Sequence, residues 1–221
     1  YKVIVVRRDV TQPLLPRHGH LHVVHSLERA IEEGINAVVI SNVTSAHASS
    51  LLLAMSHELP VLLEKPVVDN LTALEKLKTQ VNLNSNKVLV GYDIRFCGAL
   101  DHLKNLLDSG QLGDIAFASL DAGGYLPNWR PQLDYHDLYS SNRNLGGGVT
   151  LDLVHEIDSM LKLFGQPESL ASTLARKGNL DLDVEDIAQL TFDFNNGPVV
   201  TMTLDYLRRP FTRKYTLVGS E

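Results

Sequence analysis

The segment GGGVTLDLVHEID, residues 146–158, runs three glycines into a helix-like apolar pattern that carries Asp152, His155, Glu156 and Asp158. In a helix, positions three or four apart share a face, so Asp152 and His155 project together with Glu156 close to both. A carboxylate orients a neighbouring imidazole and raises its basicity, which makes this pair a general acid/base candidate. The pattern also fits an ordinary solvated helix: Asp152, His155, Glu156, Ser159 and Lys162 form one polar stripe opposite Leu153, Val154, Ile157, Leu161 and Phe164. Gly146, Gly147 and Gly148 weigh toward a site. They are poor helix formers, and they make sense where backbone passes close to a ligand or another chain.

A second group lies earlier. Glu64, Lys65 and Pro66 end the apolar run PVLL. In open α/β sheets, ligands bind outside the carboxyl ends of the strands. A partly desolvated lysine there exchanges protons near neutrality. Taken alone, such a tripeptide is more often surface punctuation. SNVTSAH, residues 41–47, follows the run AVVI. Its small polar residues leave room for a cofactor, or Thr44 or Ser45 simply caps the next helix. His18, His20 and His22 alternate and His25 follows, a pattern able to bind zinc or nickel. No cysteine supports it and Asp9 is the only nearby acid, so no metal site is assigned, and the stretch reads as a loop.

Positioning these groups requires a scaffold. KVIVV (2–6) and NAVVI (36–40) are β-branched runs that suit strands buried on both faces. PVLLEKP and KVLVGY read as two more strands, with helices over 27–34, 45–58 and 70–81, the last capped by Asn70. Strand–helix alternation at this spacing implies parallel βαβ units in a doubly wound sheet. Beyond residue 93 the character changes. A helix over 97–114 ending near Gly110, a strand over 115–124 and an irregular stretch precede the glycine-led helix, which runs to about Phe164. EDIAQLTFDF and PVVTMTLDYL form a hairpin about Asn195–Asn196–Gly197. The expected architecture is a Rossmann-type α/β domain over 1–93, truncated at its N-terminus, then an α+β domain over 94–221 with an open, mostly antiparallel sheet.

Composition bounds the function. The chain has 221 residues, 44% hydrophobic and 21% charged, as expected of a soluble globular protein. A net charge of −6 gives no electrostatic reason to expect nucleic acid or an anionic membrane as partner. No apolar run reaches the ~18 residues of a membrane span. The single Cys97 excludes an internal disulfide framework, fits a reducing compartment and is expected as a small buried hydrophobe. With no Met at position 1 and an apolar run at its start, the chain reads as part of a longer protein.

EKP at 64–66, GYDIRF at 91–96, WRP at 129–131, GGGVTLDLVHEID at 146–158 and VED at 184–186, in this order, resemble the glucose–fructose oxidoreductase / inositol dehydrogenase / MocA family. The resemblance covers nearly the whole chain. It implies a Rossmann domain joined to an α+β domain, and hydride transfer between a nicotinamide cofactor and a carbinol carbon of a sugar, cyclitol or sugar derivative. It makes Lys65 the catalytic lysine, His155 the acid/base for the substrate hydroxyl and Asp152 the acid one turn earlier. Glu64 would lie near the nicotinamide ribose. Ser41, Asn42, Thr44 and His47 would border the cofactor, and Trp129 and Arg130 would reach over it. Arg95 and Tyr135 are expected to join Lys65, Asp152 and His155 at the substrate. The irregular loop also offers Tyr139 for hydroxyl groups. The resemblance further implies an enzyme that dimerises through its open sheet, with two dimers pairing into a tetramer as the other assembly, and the reducing compartment is expected to be the cytoplasm.

Three departures stand out. Many members space the acid and histidine by four residues, against three here. Many have proline where Val43 stands. The first strand and its glycine-rich phosphate turn, which sets the pyrophosphate on a helix N-terminus, are absent. Arg7 and Arg8 follow the first visible strand, where a guanidinium suits a 2′-phosphate and favours NADP over NAD; Asp9 offers the opposite contact. The alternatives are a catalytically silent sugar-binding or scaffold protein on the same fold, which intact Lys65 and His155 argue against, and a metal-binding module built on the N-terminal histidines.

Overall fold

The computed structural model describes residues 2–7, 18–80 and 87–221. The chain divides into two compact units, one of Tyr1–Asn42 with Ala46–Val90, the other of Val43–Ser45 with Gly91–Glu221. Among the described residues no helix is long and apolar enough to cross a membrane.

In the smaller unit, β1 (Ile4–Val6) pairs in parallel with β2 (His22–Val24). β3 (Val38–Ile40), β4 (Val61–Leu63) and β5 (Val88–Val90) form a second parallel set in that order. Three helices alternate with the strands: α1 (Leu27–Glu32), α2 (His47–Ser56) and α3 (Leu71–Gln80). Ser26 caps α1 by accepting from the Arg29 amide, and Asn70 caps α3 by accepting from the Ala73 amide. Ile40, Val61 and Leu63 pack on Leu51 and Ala54 of α2 and Leu77 of α3.

Two expectations change here. The histidine-rich stretch is not all loop: it contains β2, where Val23 and Val24 supply the β propensity and His22 bonds Glu33 at 3.0 Å. Nor are the strands buried on both faces. Val39, Leu62 and Leu89 stand in register across three strands and are 67%, 42% and 61% exposed. The helices that pack on this sheet, α2 and α3, meet the face of Ile40 and Leu63 instead.

The larger unit is built on a five-stranded mixed sheet. Its strands are β6 (Ile115–Gly123), β7 (Ser169–Ala175), β8 (Ile187–Asp193), β9 (Val199–Asp205) and β10 (Thr212–Gly219), in the spatial order β10-β6-β9-β8-β7. All neighbours are antiparallel except β6 and β9. The hairpin forms as read, with Asn196 left-handed (φ 57°) and the Gly197 amide donating to the Phe194 carbonyl. Alternation sends Ala118, Leu120 and Ala122, Ala188, Leu190 and Phe192, and Val200, Met202 and Leu204 into one core. Leu100 of α4 (Gly98–Asp108), Val149 of α5 (Val149–Asp152), and Met160 and Leu163 of α6 (Val154–Phe164) cover it.

The glycine-led helix is therefore two helices. Leu153, at φ −97° and ψ 29°, interrupts it between α5 and α6. The one-face argument for Asp152 and His155 needs a continuous helix, so it does not apply across this break. Cys97 is exposed rather than buried, because it occupies the extended N-cap position of α4.

Candidate active site

A cluster in the smaller unit lies where parallel β3 and β4 end. The Glu64 amide donates to the Ile40 carbonyl at 2.8 Å, the last ladder bond before the strands part. Beyond it, Ser41 and Asn42 follow β3, and Glu64, Lys65 and Pro66 follow β4. The Lys65 amide donates to the Glu64 carboxylate at 3.3 Å, and the Lys65–Pro66 peptide is cis. Asn42 donates through its side chain to Ser50 at 3.1 Å. Thr44 opens a single 3₁₀ turn, Thr44–Ala46, and is buried. His47 begins α2 with its ring buried between two backbone carbonyls, Nδ1 at 2.7 Å from Pro66 O and Nε2 at 3.2 Å from Asn42 O. The Arg7 amide donates to the Val24 carbonyl, prolonging the β1–β2 ladder. Arg8 and Asp9 lie outside the described residues.

A cluster in the larger unit surrounds the α5–α6 break. Each oxygen of the Asp152 carboxylate accepts a phenol at 2.6 Å, Oδ1 from Tyr139 and Oδ2 from Tyr206. Burial first, then the Asp152 charge, push both phenols well above their ordinary range, so both remain hydrogen donors. Trp129 packs its edge on Tyr206, ring centroids 5.3 Å apart, and donates its indole N–H to the Gly124 carbonyl. Arg130, beside it, is exposed. His155 presents Nε2 3.5 Å from the Asp93 carboxylate, with Tyr92 edge-on at 6.0 Å. Arg95 grips Asp158 with Nε at 2.7 Å from Oδ2 and Nη2 at 2.7 Å from Oδ1, a fork that fixes the start of the second unit to α6. Tyr135 stacks on His136 and accepts from the Asp181 amide.

The polar stripe is not solvated. Glu156 is 0% exposed and Asp152 5%, and Ser159 and Asp158 are buried with them. Glu156 receives the Arg213 guanidinium from β10, tying α6 to the sheet directly beside His155. Gly147 and Gly148 are explained by close approach of the chain to itself. A Cβ on Gly147 would lie 2.3 Å from the Tyr139 carbonyl oxygen, and one on Gly148, at φ +116°, would strike the Glu185 carboxylate. Glu185 in turn accepts the Thr150 amide at the start of α5. Tyr206, Asp93, Glu185 and Arg213 are the site-building residues missed in the sequence. Glu185 and Asp93 had a signal, in the VED and GYDIRF motifs.

A parallel α/β unit with polar groups at its strand ends is followed by a mixed-sheet unit with a buried acid and a histidine, a two-domain α/β plus α+β class. Residues 4–92 match the oxidoreductase family with an NAD-binding Rossmann fold, and residues 100–221 match the GFO/IDH/MocA C-terminal domain. The chain belongs to the Gfo/Idh/MocA oxidoreductase family.

Inositol 2-dehydrogenase of Streptomyces avermitilis is 34% identical over 152 residues, 65% of this chain and 38% of that protein. Inositol 2-dehydrogenase 2 of Mycolicibacterium vanbaalenii is 36% identical over 146 residues, 65% of this chain and 39% of that protein. The chain thus spans about two fifths of the length of these relatives. Among solved structures, the WlbA dehydrogenase of Bordetella pertussis, in complex with NADH and UDP-GlcNAcA, shares the fold. Its TM-score is 0.84 at 16% identity, covering 99% of this chain and 64% of that one.

Proposed function

We propose that the whole protein is an NAD(P)-dependent oxidoreductase that moves hydride between a nicotinamide cofactor and a carbinol carbon of a sugar, cyclitol or sugar derivative. The observation that carries this reading is that the chain of an NAD-binding oxidoreductase family keeps both a lysine at a parallel strand end, Lys65, and a histidine on a helix anchored to the mixed sheet, His155. In this reading Lys65 hydrogen-bonds the reacting oxygen and His155 takes or returns the hydroxyl proton. The nicotinamide supplies the hydride acceptor when bound. Ser41, Asn42, Glu64, Trp129 and Arg130 frame it, and Arg7 and Arg8 favour NADP. Arg95, Tyr135 and Asp152 complete the substrate side. The curated relatives named for inositol oxidation favour a cyclitol, and the similar fold that holds a nucleotide-linked sugar acid extends the screen to such sugars. The single Cys97 accords with a reducing, cytoplasmic setting.

The test is cofactor reduction by the whole protein across inositols, free sugars and nucleotide-sugar acids, with NAD and NADP compared by kcat/KM. Replacing Lys65→Met should cost about 10²–10⁴ in rate with dinucleotide affinity held within a few-fold. Full turnover by that variant on a confirmed substrate removes Lys65 from the chemistry, and a higher kcat/KM with NAD overturns the cofactor preference.

A further inference from the structure

His47 is the first residue of α2, yet its ring reaches away from its own helix. With the side chain 1% exposed, its two nitrogens meet carbonyls from two different chain segments, Pro66 O at 2.7 Å and Asn42 O at 3.2 Å. Those segments leave neighbouring strands just past the last ladder bond, Glu64 N–H to Ile40 O. Past that bond the turn has few donors of its own. Pro66 has no N–H, and the Lys65 amide is turned to Glu64. The ring therefore fills the fork between β3 and β4 where backbone pairing stops, with a carbonyl of each strand end beside one of its nitrogens.

The geometry points to His47 as a positioning residue that pins the Glu64–Lys65–Pro66 turn, and through it the Lys65 ammonium, rather than as a contact to the dinucleotide. The inference rests on the reading of Lys65 as catalytic. Its local chemistry is separate from that reading. A neutral imidazole carries one N–H, and the shorter contact assigns it to Nδ1, donating to Pro66 O. A dinucleotide contact, by contrast, needs a ring nitrogen left for the ligand, and both here face protein carbonyls.

Two measurements test it. In long-range proton–nitrogen spectra of the histidine-labelled chain, the resonances lost in His47→Asn identify the ring. They should show a protonated Nδ1 whose hydrogen exchanges slowly with water. A bare Nδ1, or a ring proton exchanging at the rate of an exposed histidine, overturns the pin. In the whole protein, His47→Leu should lower kcat by about 10²-fold through displacement of the lysine, with cofactor KM changed no more than a few-fold. His47→Asn, whose amide nitrogen replaces the Nδ1 donor, should recover much of the loss. A raised cofactor KM with kcat retained makes His47 a cofactor contact, and equal loss in both variants removes the donor from the explanation. If the Nδ1 signature holds while Lys65→Met remains active, the pin stands and the catalytic reading of Lys65 fails.

Discussion

Asp152 shows what a single buried carboxylate demands. Both of its oxygens are occupied by phenols, so the side chain serves first to fix Tyr139 and Tyr206 against the α5–α6 break. Tyr206→Phe removes one donor and leaves a buried, charged oxygen without it. The expected cost is about 1–3 kcal/mol, read as a lowered denaturation midpoint at unchanged m-value. The same phenols set an alkaline limit. In the unfolded chain tyrosines ionise at the ordinary value of 10.0, whereas burial, followed by nearby carboxylates, raises Tyr139, Tyr206 and Tyr215 in the folded state, Tyr215 to about 12. The unfolded chain therefore releases these protons first as pH rises. The contribution is complete below pH 10.0 and declines as pH climbs toward about 12. Tyrosinate absorbance of these side chains should rise together with loss of near-ultraviolet circular dichroism. Ionisation of all seven tyrosines at 10.0 with the fold intact would refute it.

Among elements, the α5–α6 segment depends on close backbone approach. Gly147→Ala places a methyl group against the Tyr139 and Ser140 carbonyls, at 2.3 and 2.6 Å. The expected destabilisation is about 1–3 kcal/mol, typical of overpacking, and thermal melts of the variant check it. An unshifted melting temperature would show that the loop yields freely. The strands of the larger sheet were legible where one face is buried, because Ala188, Leu190 and Phe192 alternate with Gln189 and Thr191. Edge strand β7 was not: Leu170 and Leu174 are exposed and no helix demands a pattern there. β2 was masked by its histidines, and the interruption at Leu153 leaves no mark in TLDLVHE, which has no glycine or proline. His155, Lys65 and their surroundings were recognisable as short motifs. The partners of Asp152 and Glu156 were not, since Tyr206 and Arg213 lie more than fifty residues away and meet them only in the folded sheet.

At the scale of the whole molecule, the mixed sheet has one face packed on helices and another bearing Ser119, Thr201, Thr203, Gln189, Thr191 and Thr173. Short side chains on a broad sheet suit isologous packing against a second copy. The whole protein is expected to form a homodimer through this face, with pairing of two dimers as the further step. Light scattering over a range of micromolar concentrations checks it, and a monomer mass independent of concentration rules it out.

The row of Val39, Leu62 and Leu89 on the smaller unit bears on how this chain behaves in the tube. Three aliphatic side chains aligned across parallel strands and open to water form a ridge whose attraction for any other dry surface strengthens with excluded salts such as sulfate and fades on cooling. The chain is thus best kept cold and at low kosmotrope, and ammonium sulfate, which screens the net charge of −6 at far lower concentration, should gather it by this face.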